Sequence, residues 1–267
     1  MSNFETLMPI KTKGSLPPLF CVHGEPLKMA MRMKADRPVY GLSHVYHSSF
    51  QDTIADSIEE LAKQYLSDVF KVWPDGPYHL LGFSAGGMVA YEMARQLIES
   101  GKKVDYLVMV EPSLGEQVVS TGAKSSDLKN FVSESGLNAS TIGYLASRVR
   151  KSLASRTNTL ISRVKVATLL KSGKELPEDL RWLGYLRALG PAISKYEYTI
   201  APCQAALVYR ALASDTEKLL NTFWSELLGP MTDMRYIEGV TSHNDFMLDP
   251  HLSNVGQMLD QRVSETR

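Results

Sequence analysis

The sequence is poor in cysteine and carries no excess charge of either sign. Its 267 residues include two cysteines, Cys21 and Cys203, and 29 basic side chains balance 29 acidic ones. Two cysteines cannot form a disulfide framework or a four-ligand zinc site, so we interpret both as buried thiols in a reducing compartment. The balanced charge gives no global electrostatic footprint for binding nucleic acid.

The sequence also lacks the pattern of a signal peptide and that of a membrane-spanning segment. The first residues have no basic head followed by an apolar core, and no apolar run approaches the roughly 20 residues that span a bilayer. We therefore expect a soluble, cytoplasmic protein for which membrane contact is a minor alternative. The length is sufficient for one α/β domain with a sizeable core.

Short apolar runs alternate with longer segments of helical period. This alternation predicts an α/β fold, a mostly parallel sheet with crossover helices on both faces. The predicted strands are 18–22, 39–42, 78–83, 105–110, 205–209 and 234–240. One predicted helix has an apolar stripe formed by Ile54, Ile58, Leu61, Tyr65 and Val69, and two more are predicted over 217–228 and 251–263.

The alternation fails between residues 113 and 200. A structureless loop of that length inside a compact domain is rare, so we expect the stretch to carry its own helices. One helical stripe in it consists of Leu145, Val149, Leu153, Leu160 and Val164. We predict that 113–200 is a helical insertion packed over the sheet of a single domain that spans 1–267.

The stretch Gly82-Phe83-Ser84-Ala85-Gly86 fits the pattern G-x-S-x-G. The bare pattern arises by chance in about one chain in ten of this length, but here it joins an apolar strand to a helical segment. That context predicts a sharp turn in which the glycines avoid clashes and Ser84 is presented as a nucleophile above the strand ends. The helix N-terminus would then favour a developing oxyanion. The alternative is a serine that only caps the helix.

A serine nucleophile needs a general base, and His243 is the best candidate. It lies in TSHNDFML, directly after the last predicted strand, where the chain order of α/β-hydrolases places the base. His251 follows Pro250 and is interpreted as the start of the last helix, with a surface or capping role. The other histidines come too early in the chain to be the usual base: His23, His44, His47 and His79.

Two carboxylates are candidates for the residue that orients the base. Glu111 ends the predicted strand 105–110, at the carboxyl edge of the sheet, where it is well placed to meet His243. Asp215 follows the next strand and could instead cap the helix after it. We favour Glu111 and keep Asp215 as the alternative acid.

Acyl transfer also needs two backbone N–H donors for the oxyanion. One is expected to be Ala85, immediately after the nucleophile. The other is expected in the loop after the first core strand, where Glu25 follows the pair His23-Gly24. In Glu25 the amide, rather than the carboxylate, would be the useful group. The alternative for His23-Gly24 is a simple turn that ends the strand.

Six segments together resemble the thioesterase domains that terminate non-ribosomal peptide and polyketide synthetases. These are PIKTKGSLPPLFCVHG, PVYGL, SIEELAKQYL, GPYHLLGFSAGGMVAYEMARQL, VDYLVMVEP and SHNDFML. The resemblance covers both ends of the chain and is weak only across 113–200. It implies an α/β-hydrolase with a helical lid, no bound cofactor, and an acyl substrate held as a thioester on the phosphopantetheine of a carrier protein.

Carried over by position, Ser84 is the nucleophile, His243 the general base, and the residue that ends the family's sixth strand is the acid. That residue is Glu111 here, whereas the family usually has aspartate. The extra methylene requires that the loop of His243 lies slightly farther out, or that Asp215 takes the role. The family also commonly has glycines after the His-Gly pair, where this chain has EPLKMA. The identity of the first oxyanion donor, for which we name Glu25, is therefore open.

The predicted insertion carries the most pronounced local charge. Eight basic and no acidic residues lie between 148 and 174: Arg148, Arg150, Lys151, Arg156, Arg163, Lys165, Lys171 and Lys174. Such a surface could receive an acidic carrier protein and the phosphate of its prosthetic arm. A solvated helix face and contact with an anionic membrane are the alternatives.

The residues named above are compatible with more than one function. Water would release the acyl chain as a free acid, and an internal nucleophile would release it as a macrocycle. An esterase or lipase acting on free oxygen esters would use the same three side chains. A non-catalytic hydrolase-like protein that binds an acyl carrier is a further alternative, which the presence of Ser84, His243 and a carboxylate disfavours.

Overall fold

Seven strands form one sheet in the part of the chain that the structure describes. The structure, a computed structural model, describes residues 4–23, 25–44, 55–113, 165, 168–169, 177–212 and 214–265. The strands are β1 (Leu7–Lys11), β2 (Leu19–Val22), β3 (Val39–Leu42), β4 (Tyr78–Phe83), β5 (Val104–Val110), β6 (Ala205–Arg210) and β7 (Thr232–Ile237). Their order is β1-β3-β2-β4-β5-β6-β7, and all neighbours are parallel except β1 and β3.

Helices pack on both faces of this sheet. They are α1 (Glu25–Ala30), α2 (Ile58–Val72), α3 (Ala85–Glu99), α4 (Glu178–Lys195), α5 (Ser214–Leu228), a 3₁₀ helix (His243–Met247) and α6 (His251–Glu265). None of these described helices is both long and apolar enough to cross a membrane. The predicted fold class, a mostly parallel sheet with helices on both faces, is therefore confirmed.

The two hydrophobic cores follow from the alternation of side chains along the strands. Leu81 and Val108 point to the face covered by α1, the 3₁₀ helix and α6. Leu80 and Leu107, one residue earlier in each strand, point to the face covered by α2, α3, α4 and α5. Successive residues of a strand point to opposite faces, so a strand covered on both sides is apolar throughout. This explains why the central strands appear in the sequence as continuous apolar runs.

The six predicted strands and the three predicted helices are all present. The strand predicted over 234–240 is shifted to Thr232–Ile237, because Gly239 at φ 78° turns the chain away from the sheet. The predicted stripe of α2 is confirmed where it is described, since these four members are fully buried: Ile58, Leu61, Tyr65 and Val69. Ile54 and the stripe predicted over 145–164 lie outside the described residues.

The strand β1 was not predicted from the sequence. It pairs antiparallel with β3 at the edge of the sheet, the position where a strand tolerates a proline such as Pro9. The buried carboxylate of Asp68 on α2 holds the start of β1, since Asp68 Oδ2 accepts hydrogen bonds from Thr6 N at 2.7 Å and Thr6 Oγ1 at 2.9 Å. Lys71 Nζ, 2.6 Å from Asp68 Oδ1, balances the charge.

Candidate active site

Ser84 lies in a sharp turn between β4 and α3. Its backbone has φ 55° and ψ −124°, a conformation that is strained for a residue with a side chain, and its hydroxyl makes no capping hydrogen bond to α3. A Cβ atom on Gly82 would overlap the carbonyl oxygen of Gly86, and one on Gly86 would lie 2.6 Å from Val22 O. The two glycines are therefore required by this close packing, and the hydroxyl of Ser84 is not used as a helix cap.

Backbone hydrogen bonds hold this turn against the end of β5. Ser84 N donates to Val110 O at 2.9 Å, and Ser113 N donates to Ser84 O at 3.1 Å. The buried phenol of Tyr198 donates in turn to Ser113 O at 2.5 Å. The strained conformation of Ser84 is thus stabilised by neighbours on both sides.

Glu111 and His243 meet at the same edge of the sheet. Glu111 follows β5 and is buried, and its Oε2 lies 2.6 Å from His243 Nδ1. The other carboxylate oxygen accepts a hydrogen bond from Arg210 N at 3.2 Å, and the Arg210 guanidinium Nε lies 3.5 Å away. The longer side chain of glutamate therefore reaches the loop that carries His243.

The environment of Glu111 favours its charged form. Burial works to raise the pKa of the carboxyl, but the hydrogen bonds from His243 and Arg210 N and the positive charge of Arg210 outweigh it. The pKa of Glu111 is consequently held below its ordinary value. A carboxylate that stays ionised can accept a hydrogen bond from His243 Nδ1 and leave the other ring nitrogen, Nε2, to exchange protons.

The loop of His243 is ordered by Asp245. Asp245 Oδ2 accepts hydrogen bonds from Thr241 N, Thr241 Oγ1 and Ser242 N at 2.8 to 2.9 Å, and Oδ1 accepts one from Ser242 Oγ at 2.7 Å. The ring of Phe83 stacks on the imidazole of His243, with centroids 4.4 Å apart. These contacts fix both the chain before His243 and one face of its ring.

Among the residues that the structure describes, three other than glycine have positive φ, and all three directly follow central parallel strands. They are His23 after β2 at φ 70°, Ser84 after β4 at φ 55° and Glu111 after β5 at φ 40°. Backbone strain of this kind persists only where surrounding contacts determine it, and it concentrates at functional sites. In open α/β sheets, ligands bind outside the carboxyl ends of the strands, which is where these residues lie.

The two predicted oxyanion donors begin helices at this edge. Ala85 is the first residue of α3 and Glu25 the first residue of α1. Amides in a first helical turn have no partner within the helix, so they are available to a ligand. The ring of His23 lies beside the first turn of α3, since a Cβ on Gly86 would lie 3.2 Å from His23 Nδ1.

The remaining predicted residues lie elsewhere or are not described. Asp215 is the second residue of α5, and its side chain lies outside the described structure. His251 is half-buried and begins α6, as predicted. Of the eight basic residues between 148 and 174, the structure describes Lys165, which is exposed, and the other seven lie outside the described residues.

Sequence reasoning missed Asp245, Arg210 and Tyr198. Asp245 had a signal, since Ser242-x-x-Asp245 is the pattern of a capping box, and the structure contains that box. No local pattern in the sequence indicated Arg210 or Tyr198, because each meets the site through contacts between distant parts of the chain. In the described ranges, no group of three or more His, Cys, Asp or Glu side chains could hold a metal ion.

The sheet order and the strand-turn-helix at Ser84 define an α/β-hydrolase fold. The sequence profile of the family described as "Thioesterase domain" matches residues 26–243. The match covers most of the chain, which therefore belongs to the thioesterase domain family of hydrolases.

The similar sequences come from large synthetases. A probable non-canonical non-ribosomal peptide synthetase, CymA of Salinispora arenicola, is 28% identical over 275 residues, which cover 97% of this chain and 3% of the relative. Malpibaldin synthetase of Mortierella alpina is 32% identical over 122 residues, 43% of this chain and 2% of the relative. The non-reducing polyketide synthase stmB of Aspergillus ustus is 26% identical over 225 residues, 78% of this chain and 11% of the relative. The chain thus spans a small part of each relative's length.

Solved structures show the same fold. The NocB thioesterase domain, in a covalent complex with a fluorophosphonate nocardicin G analog, has a TM-score of 0.65 at 19% identity, covering 97% of this chain and 99% of that one. The four-domain non-ribosomal peptide synthetase AB3403 has a TM-score of 0.64 at 21% identity, covering 96% of this chain and 20% of that one.

Proposed function

We propose that this thioesterase releases acyl, peptidyl or polyketide chains from a carrier protein through an acyl-enzyme on Ser84. The observation that carries the proposal is the 2.6 Å hydrogen bond between Glu111 and His243, at the sheet edge where the turn presents Ser84. The three residues come in the chain order of α/β-hydrolases, nucleophile, acid and then histidine.

The proposed reaction has two steps. Ser84 Oγ attacks the thioester carbonyl while His243 Nε2 takes the hydroxyl proton, and the imidazolium then protonates the departing thiolate. In the second step His243 activates water, or a nucleophile on the acyl chain itself, and Ser84 Oγ leaves with the returned proton. Attack by water gives a free acid, and attack by the nucleophile on the acyl chain gives a macrocycle.

Glu111 supports both steps by stabilising the imidazolium. Its lowered pKa keeps the carboxylate charged, and Arg210 N fixes its second oxygen. The amides of Ala85 and Glu25 are the proposed donors to the tetrahedral oxyanion. All of these groups belong to the chain itself, so the proposed chemistry needs no resident metal or cofactor.

The proposed partner is a carrier protein that presents its substrate on phosphopantetheine. Support comes from the relatives, which are synthetases of the kind named above, and from the basic stretch of the sequence that includes Arg148, Arg150, Lys151 and Arg156. The two free thiols, Cys21 and Cys203, suit a reducing compartment such as the cytoplasm.

Thiol release from a panel of acyl-pantetheine thioesters tests the reaction. We expect the parent to release thiol and Ser84→Ala to lose at least about 10⁴-fold of the rate. Ser100→Ala is the matched control, since Ser100 lies at the far end of α3 and its hydroxyl donates to Leu97 O. Cleavage of oxygen esters alone would instead identify an esterase, and undiminished release by Ser84→Ala would contradict the proposal.

A second experiment tests the carrier protein. Substituting alanine at Arg148, Arg150, Lys151 and Arg156 together should raise KM for an acyl chain on its carrier protein, while KM for the same chain on free pantetheine stays unchanged. The difference should shrink as salt concentration rises, because the attraction is electrostatic. Equal KM values for parent and variant on the carrier-bound substrate would exclude a role for these four residues in binding the carrier protein.

A further inference from the structure

Three buried side chains form a hydrogen-bonded row that ends beside the predicted oxyanion site. Tyr185 Oη lies 2.9 Å from His23 Nε2 and 2.9 Å from Tyr65 Oη. His23 is 1% exposed, and both tyrosines are fully buried. The row joins the end of β2 to α4 and α2, which lie far apart in the sequence.

The imidazole of His23 lies against the segment that carries one proposed donor, and the backbone of His23 leads into the segment that carries the other. Its Nδ1 lies against Gly86, directly after Ala85, and its own backbone leads within two residues to Glu25. His23 therefore connects the chain that enters α1 with the first turn of α3.

His23 needs outside support to hold this position. Its φ of 70° is unfavourable for a residue other than glycine, and such a conformation persists only when neighbouring contacts impose it. The edge of its ring meets the ring of Tyr185, with centroids 5.2 Å apart and planes at 87°. Burial, with a smaller contribution from His44, lowers the pKa of His23 to about 3, so the ring is neutral near pH 7 and bonds Tyr185 as an uncharged partner.

We infer that Tyr185 is a positioning residue for the oxyanion site. Its hydroxyl holds the ring of His23, and through that ring the chain that carries the Glu25 amide is held against α3. Tyr185 belongs to α4, inside the predicted insertion 113–200, so a displacement of α4 would release His23 and loosen the oxyanion site. The inference rests on the proposed function, because it assigns these amides to the tetrahedral oxyanion.

The test compares Tyr185→Phe with Tyr78→Phe. Tyr78 is an equally buried tyrosine whose hydroxyl donates to Pro74 O at 2.8 Å, at the opposite end of β4 from Ser84. Each variant keeps the ring and loses one hydroxyl. The measurements are kcat and KM for one acyl-pantetheine thioester, and the inhibition constant of a trifluoromethyl ketone with the same acyl chain, which forms an oxyanion adduct with a catalytic serine.

For Tyr185→Phe we expect kcat to fall about tenfold and the ketone to bind more weakly by a similar factor, with KM nearly unchanged. Tyr78→Phe should leave all three values within about twofold of the parent. If the two variants, shown to be folded by circular dichroism, behave alike, the inference is wrong.

Two further measurements keep the test decisive. Should Tyr185→Phe fail to fold, Tyr65→Phe removes the outer hydrogen bond of the row, together with the bond between Tyr65 Oη and the His44 backbone. It should reduce kcat and ketone affinity together by a smaller factor. Unchanged values for Tyr65→Phe would then overturn the inference. Release that survives Ser84→Ala would refute the proposed function, whereas Ser84-dependent release with an unaffected Tyr185→Phe would refute only the role of Tyr185.

Discussion

Two histidines lie at the carboxyl edge of the sheet, and their surroundings differ sharply. The side chain of His243 is 40% exposed and is hydrogen-bonded to the carboxylate of Glu111. His23 is 1% exposed, and its Nε2 is hydrogen-bonded to the neutral hydroxyl of Tyr185. A histidine that can be reached by substrate and has an anionic partner can gain and lose a proton during a reaction. A desolvated histidine beside a hydroxyl stays neutral and serves as a rigid part of the structure.

The comparison shows that the environment, rather than the residue type, assigns the role. His23 directly follows β2, and His243 follows the loop after β7. Both contact the segments around Ser84. The difference comes from the partner and from the access of water, because burial penalises the charged imidazolium and a nearby carboxylate stabilises it. Changes to the carboxylate partner of His243, to the support of its loop and to the protonation of His23 should therefore have different effects.

The largest effect is expected from removing the charge of Glu111. Glu111→Gln should lower kcat/KM about 10⁴-fold, because an amide cannot stabilise the imidazolium of His243 and can favour the wrong tautomer. Steady-state thiol release measures the loss. Glu111→Asp keeps the charge but shortens the reach, so its activity should lie between those of the parent and Glu111→Gln.

Asp215→Ala is the matched control for the choice of acid. We expect its kcat/KM to stay within a few-fold of the parent, since in the structure Glu111 is the carboxylate bonded to His243. A severe loss in Asp215→Ala with a mild loss in Glu111→Gln would reverse the assignment. Mild losses in both variants would refute the proposed set of three residues.

A smaller effect is expected from loosening the loop of His243. Asp245→Asn removes the charge that accepts four hydrogen bonds from Thr241 and Ser242, so we expect kcat to fall about tenfold with little change in KM. Asp249→Asn is the control, because Asp249 accepts a hydrogen bond from Ser253 Oγ beyond the loop. Equal kcat values for the two variants would show that the order provided by Asp245 does not matter for catalysis.

The smallest effect concerns the pH dependence of stability. His23 has a pKa of about 3 when folded against 6.5 in its ordinary state, so the unfolded chain binds more protons as pH falls between these values. The contribution of a neutral His23 is therefore fully present above pH 6.5 and is lost as pH falls toward its folded pKa.

Urea unfolding at about pH 7, 6 and 5 measures this loss, with a slope for His23 of at most ~1.4 kcal/mol per pH unit. His23→Gln retains a donor and an acceptor for Tyr185 but does not titrate, so its free energy of unfolding should fall less steeply than that of the parent. Identical slopes for the two proteins would contradict the assignment of a neutral, buried His23. His79, whose pKa burial lowers to about 4, contributes equally to both proteins.

Much of the fold and part of the candidate site could be predicted because their signals are local. One continuous stretch of sequence encodes the strand β4, the turn at Ser84 and the helix α3. It contains an apolar run, a pair of glycines and a helical period. The loop of His243 is likewise recognisable from its place after the last strand. The edge strand β1 escaped prediction because it is short, contains Pro9 and depends on Asp68, 62 residues away.

Local patterns in the sequence specify the alternation of strands and helices, the sharp turn at Ser84 and the place of His243 after the last strand. The tertiary structure selects the carboxylate that meets His243, since Glu111 lies 132 residues away in the chain and both Glu111 and Asp215 come after a parallel strand. It also decided that His23 is buried against Tyr185, 162 residues distant. The physical reason is that backbone conformation follows from neighbouring residues, whereas hydrogen-bond partners and desolvation arise from contacts that no local pattern records.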